Sequence, residues 1–194
     1  MKSEKTRCWK TTNPLYIRYH DEEWGVPVHN DNKLFEFLAL EGFQAGLRWE
    51  LILKKRDTFR NAFNNFDPTI ISGYDKEKVE KLMDNSGIIR NKLKILAVIH
   101  NAQLVINIQR DYGSLDAYLW QFTMGKNLMT SCNSFLQLPS ESKESQNMSR
   151  QLKKKGFKFV GPTICYAFMQ AVGMVNDHIT ECFRHDQIKQ LNNP

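Results

Sequence analysis

The chain has 194 residues, a formal net charge of +6 and 41% hydrophobic residues, enough apolar material for one domain or two packed lobes. No run approaches the ~18 apolar residues of a membrane helix, and the polar start MKSEKTRCWK lacks the apolar core of a secretion signal, so a cytoplasmic protein with no membrane partner is expected. The basic clusters at 54–56, 90–94 and 153–155 suit either a polyanion such as DNA or plain solvated helix faces.

In chain order, residues 31–39 place Leu34, Phe35 and Leu38 on one helical face behind an Asn30/Asp31 cap. A helix over 75–84 starts at Asp75 and gathers Val79, Leu82 and Met83. The longest helix is expected over 89–110, with Leu93, Leu96, Ile99, Val105 and Ile106 apolar and Gly113 as its stop. A shorter one follows over 115–122. Residues 139–147 (PSESKESQN) read as a polar surface loop. Helix returns over 147–155 and breaks at Gly156; Pro162 then suits a first helical position, and the apolar run 164–172 ends at Gly173. No alternating run of strand length occurs, nor any internal repeat. The fold class is all-α.

The order helix, GFKFVGP, helix is a tight turn whose glycines permit close backbone approach. The following helix N-terminus, beside Lys153–Lys155 and Lys158, suits a DNA phosphate; a simple packing hairpin fits the same pattern.

Four cysteines, Cys8, Cys132, Cys165 and Cys182, occur without an export signal, which argues against a disulfide framework. Cys165 lies in an apolar run and reads as a small core residue. His178 and Cys182 are spaced i, i+4, one face of a helix. With Cys8 and His20 they have the composition of a closed structural zinc shell, or else are buried groups satisfied by hydrogen bonds.

The stretch Glu41-Gly42-Phe43-Gln44-Ala45-Gly46-Leu47-Arg48-Trp49 joins an acid, two glycines and a tryptophan, and residues 14–27 upstream are rich in aromatics. These residues either fill a small core or line a site.

Several motifs stand together: RCW, NPLYIRYHD, EWGVP, LEGFQAGLRW, LKKRDTFRNAF, GIIRNKLKI, LKKKGFKFVGPTICYAFMQAVGMVNDH and the final H-x-x-x-C. In this order they closely resemble the Tag-type family of bacterial 3-methyladenine DNA glycosylases, from about residue 7 to residue 182. The resemblance implies a helix–hairpin–helix glycosylase fold over residues 1–186, as one domain of two packed lobes; the polar end QIKQLNNP, residues 187–194, reads as a disordered tail. The activity implied is hydrolysis of the N-glycosidic bond of 3-methyladenine in double-stranded DNA by a monomer; the rival is a zinc-stapled module that binds DNA without cutting.

The resemblance also implies roles. One structural zinc sits on Cys8, His20, His178 and Cys182. Glu41 recognises the base together with Tyr19; Tyr16, Trp9, Trp24 and Phe43 line the pocket, and Trp49 stacks on the base. Gly46 and Leu47 form a wedge into the vacated space. Gly156, Lys158, Gly161 and Thr163 belong to the DNA-binding hairpin.

Two positions depart from the family pattern: Phe43 stands where a polar residue is usual, and Arg48 where a small serine is usual. Phe43 either packs against Trp24 or Trp49 or touches the flipped nucleotide, and Arg48 adds a phosphate contact. The superfamily's catalytic aspartate corresponds to Asn176. Asp177 beside it, on a helix, would point about 100° away. Pro162-Thr163 stand where strand-cutting relatives carry a nucleophilic lysine, so an intact strand with an abasic site is the expected product.

Overall fold

Short polar side chains set where the helices begin. Asn13, Asn30, Asp67, Asp75, Asn91, Ser114 and Ser142 each accept a hydrogen bond from a backbone N–H of the turn that follows, satisfying donors that would otherwise lack a partner. The helices of the computed structural model, which describes residues 5–191, are α1 (Pro14–Glu22), α2 (Asp31–Gln44), α3 (Trp49–Ala62), α4 (Pro68–Ile71), α5 (Lys76–Asp84), α6 (Lys92–Tyr112), α7 (Leu115–Trp120), α8 (Lys143–Lys154), α9 (Pro162–Ala171) and α10 (Phe183–Gln190). The only regular β pairing among the described residues is a two-residue parallel bridge, β1 (Leu128–Met129) with β2 (Val175–Asn176).

The core forms around α2. Every residue from Leu34 to Phe43 is buried, so this helix has no solvent face, as expected of a central element. It packs against α3, α6, α7 and α9. The single face expected from Leu34, Phe35 and Leu38 is therefore too narrow, and the helix runs five residues past the expected end at 39. Behind it, Arg56 of α3 is buried and donates to Glu36 of α2 (2.5 Å) and to Glu23 at the end of α1 (2.6 Å). This ion network fixes the first three helices to one another, and loss of either acid would leave the guanidinium under-compensated.

The long helix α6 is where expected, and Gly113 ends it at φ +86°. Its buried face, however, is Ile95, Val98, Ala102, Val105 and Ile108, while Leu93 and Leu96 are exposed. Both sets repeat at helical spacing, so periodicity alone could not choose between them. The expected loop over 139–147 is loop only to Ser142. Ser142 and Ser145 form a reciprocal capping box that starts α8 at Lys143, which overrides the polar composition.

Gly156 breaks the chain after α8 at φ +96°, and Phe159, not a glycine, takes the second left-handed position (φ +55°) before Pro162 opens α9. This turn sits on α2 and α6. Asn101 of α6 clamps Lys158 at both its N–H (2.9 Å) and its carbonyl (3.0 Å). A Cβ at Gly42 of α2 would come within 3.3 Å of Phe159 Cβ, so a side chain at position 42 would push the turn away.

At the far end, α10 covers residues 183–190 with Ile188 fully buried, and Phe183 N–H donates to Thr6 O (3.2 Å). The disordered tail expected from residue 187 is thus helical to Gln190; residues 192–194 lie outside the described residues.

The buried face of α6 makes a direct prediction. Ile95→Ala should cost about 2–4 kcal/mol in urea unfolding, whereas Leu93→Ala should stay within about 0.5 kcal/mol of the parent. Equal losses would contradict this orientation.

Candidate active site

Between α1, α2, α3 and α9 lies a cavity of about 240 Å³ lined by Trp9, Tyr16, Tyr19, Trp24, Glu41, Gln44, Trp49, Phe135, Ala167 and Gln170. Its aromatics touch one another. Trp9 packs tilted on Tyr16 (5.1 Å between centroids) and edge-on to Trp24 (4.9 Å), Tyr16 stacks on Tyr19 (6.4 Å), and Tyr19 meets Trp49 (5.6 Å). Such rings present negative π faces, a setting that favours a flat cation.

Glu41 is the acid of this cavity. It is buried on α2, and no hydrogen bond from the described residues reaches its carboxyl group. Desolvation alone raises its pKa from 4.5 to about 8, because a carboxylate removed from water without a partner is costly. Burial, with Glu41 adding to it, also raises the Tyr19 hydroxyl well above 10. Trp49 Nε1 is buried without an acceptor. The cavity therefore holds a weakly compensated acid in an aromatic cage.

The turn after α2 is held from below. Lys94 of α6 is buried and donates from Nζ to Phe43 O (2.8 Å) and Ala45 O (2.7 Å), capping the helix that carries Glu41; burial lowers its pKa from 10.5. Gln44 Nε2 donates to Leu47 O (2.8 Å). Gly46 (φ +81°) is exposed at the tip, Leu47 is half-exposed, and Arg48 is exposed.

Phe43 is not in the cavity. It is fully buried against Phe59 (4.7 Å) and Phe63 (5.9 Å), on neither Trp24 nor Trp49. Two residues past Glu41 on a helix means about 200° of rotation, so the two side chains face opposite sides of α2.

Cys8, His20, His178 and Cys182 do converge: their ligand atoms all lie within 4.8 Å of one another, and all four residues are buried. The Cys8 and Cys182 sulfurs lie 3.3 and 3.4 Å from His178 Nδ1, and Cys182 Sγ lies 3.5 Å from His20 Nε2. Edges of a tetrahedral shell with zinc–N and zinc–S bonds of ~2.1–2.3 Å are roughly 3.4–3.8 Å, so the four residues fit the ion. The other ring nitrogens are fixed: His20 Nδ1 donates to Asp21 Oδ1 (2.8 Å), itself paired with Arg7, and His178 Nε2 donates to Trp24 O (2.9 Å), the arrangement that orients histidine ligands. Hydrogen bonding from Cys8, and then from His178 and His20, holds the Cys182 thiol well below its usual range. The helix expected to align His178 with Cys182 is absent; they approach through a turn ahead of α10.

The sequence reading missed Gln44, Phe135, Ala167 and Gln170. Gln170 had a signal, as the one amide in the apolar run 164–172. Phe135 had none, being in an irregular segment. Asp177 follows β2 in extended chain, not helix; it is buried and accepts from Thr130 Oγ1 (2.6 Å), Tyr166 OH (2.8 Å) and Gln170 Nε2 (2.6 Å).

A family model described as methyladenine glycosylase matches residues 9–185. The DNA-3-methyladenine glycosylase 1 of Escherichia coli K12 is 45% identical over 177 residues, covering 91% of this chain and 95% of that protein. A crystal structure of a 3-methyladenine DNA glycosylase I superposes with a TM-score of 0.90 at 48% identity, over 93% of this chain and 100% of the other. The Staphylococcus aureus 3-methyladenine DNA glycosylase I, described for its recognition of 3-methyladenine, aligns at 0.88 and 32% identity over 90% and 93% of the two chains.

The unpaired acid fixes a pH dependence of stability. Folding raises the Glu41 pKa from 4.5 to about 8, so the folded state binds the extra proton between those values. Stability is then lost as pH rises through that window, by up to about 1.4 kcal/mol per pH unit, and the loss is complete above it. Glu41→Gln lacks this loss. Chemical unfolding of the variant and parent should diverge steadily from pH 5 to 8, the variant gaining; curves that stay parallel would contradict the assignment.

Proposed function

The chain belongs to the methyladenine glycosylase family, and from that premise we propose that it removes 3-methyladenine from alkylated DNA by hydrolysis, leaving an abasic site in an intact strand. The observation that carries this reading is Glu41, a buried acid with no hydrogen-bond partner among the described residues, at the wall of an aromatic cage. Such a site is completed by a ligand that brings positive charge and hydrogen-bond donors. Adenine methylated at N3 within DNA is cationic; normal adenine is not.

The reaction follows from that difference. The target leaves the helical stack at a cost of a few kcal/mol and enters the cavity. Trp49 and the neighbouring rings contribute a cation–π attraction of roughly 0.5–2 kcal/mol, and Glu41, whose buried carboxyl keeps its proton up to about pH 8, gives it up beside the cationic base and pairs with it. A neutral base obtains neither. The positive charge makes the base a good leaving group, so cleavage of the C1′–N9 bond through an oxocarbenium-like state needs modest further help. Tyr19 and Tyr16 line the site beside Glu41, while Gly46 and Leu47, at the tip of the turn after α2, fill the gap left by the base, with Arg48 exposed alongside for a phosphate.

The turn between α8 and α9 supplies backbone contacts to DNA. Gly161, the N-cap of α9, offers no side-chain hydrogen bond to the first turn, so N–H groups near Thr163 are left for a phosphate. Gly156 and exposed Lys158 flank them. Thr163 and Pro162 offer no amine at the start of α9, so no Schiff base forms and strand cleavage is not expected.

One zinc ion on Cys8, His20, His178 and Cys182 is structural: four protein ligands complete its shell, and it contributes folding free energy rather than an activated water. The fit of the four ligand atoms, with both histidines oriented by a second partner, supports this reading.

Two measurements test the reading. Chromatography of bases freed from methylated duplex DNA should show 3-methyladenine, with release reduced at least a hundredfold in Glu41→Gln; binding of that DNA with no base released would favour a non-catalytic module. For the metal, elemental analysis of unchelated protein should give about one zinc per chain, and Cys182→Ala should lose it and unfold at lower temperature. Full stability in the metal-free variant would refute the site.

A further inference from the structure

Behind the aromatic cage, Asp177 is buried and accepts three hydrogen bonds, two of them from Thr130, just after β1, and from Tyr166 of α9. The third comes from Gln170 Nε2 at 2.6 Å. A carboxylate only accepts hydrogen bonds, so the amide nitrogen of Gln170 must face Asp177. Its Oε1 then takes the other corner of the amide, and among the described residues no donor bonds to it. Since Gln170 lines the cavity and its nitrogen is held by Asp177, that oxygen is the acceptor the residue has left to offer to whatever enters.

A base enters this cavity still joined to its sugar through N9, so the six-membered ring and its 6-substituent reach deepest. That substituent is an amino group in adenine, a donor, and an oxo group in guanine, an acceptor. We infer that Gln170 is a specificity-determining residue. Its carbonyl oxygen accepts from the 6-amino group of an alkylated adenine and opposes the 6-oxo group of an alkylated guanine. Asp177 is the positioning residue that stops the amide from flipping. Glu41 and the rings select for charge, and the Gln170–Asp177 pair adds to the selection of adenine over guanine, which are both cationic when methylated at N3. This inference rests on the glycosylase reading above.

The test compares release of 3-methyladenine and 3-methylguanine from the same methylated DNA. Gln170→Met keeps the volume and removes the acceptor, and should lower the adenine-to-guanine rate ratio about tenfold. Asp177→Asn offers both a donor and an acceptor, which lets the Gln170 amide turn over; the ratio should fall and release of 3-methylguanine should rise in absolute terms. If the ratio in Gln170→Met stays within twofold of the parent, the inference is overturned, even where both rates drop. Should release by that variant be too slow to follow, quenching of the pocket tryptophans by each free base measures the same preference at the level of binding, and a ratio of dissociation constants unchanged from the parent overturns the inference. Parent protein that frees no 3-methyladenine would instead overturn the glycosylase reading.

Discussion

The carboxyl group of Glu41, held inside the protein with no hydrogen-bond partner among the described residues, sets the terms for the rest of the molecule. To remove it from water, the chain surrounds α2 on every side, so that ten consecutive residues from Leu34 to Phe43 are buried. Holding such a group costs stability, and the surrounding structure resists the relaxations that would relieve it. Arg56 locks α1, α2 and α3 together through Glu23 and Glu36. Lys94 closes the end of α2 by bonding its last carbonyls. The acid therefore stays desolvated, and a cationic base can offset that cost where a neutral one cannot.

The same helix links the cavity to the turn between α8 and α9. Glu41 looks into the aromatic cage, and the adjacent Gly42 receives Phe159 of the turn between α8 and α9. Asn101 clamps that turn to α6. The turn and the cage are thus held in fixed relation by one element, the kind of constraint that precise positioning requires.

The Cys/His cluster works at a greater distance. It joins residues near the two ends of the chain, and His178 also bonds the carbonyl of Trp24, a cavity residue. Thr180, within the same turn, bonds Cys132 and Asn133, close to the segment that brings Phe135 against Trp9 (5.3 Å). One wall of the cage is therefore tied to the cluster, so the packing of these four residues also shapes the site.

Much of this was legible in the sequence. Capping residues and Gly/Pro punctuation located most helices, because those signals act over four or five residues. The acid, the aromatics and the Cys/His set declared themselves by type and by family motif. What only the tertiary structure decided was which faces meet. Periodicity could not choose between Leu93 and Ile95 on α6, could not turn Phe43 away from the cage that holds Glu41, and brought His178 to Cys182 through a helix that does not form. Nor could it place Phe135 and Gln170 at the cavity that Trp9 and Glu41 line, with Asp177 bonded to Gln170 behind it, since their meeting depends on packing between segments distant in the chain. Local sequence fixes local conformation through short-range sterics and hydrogen bonds; the site exists only where burial, summed over the whole chain, forces distant side chains to share one volume.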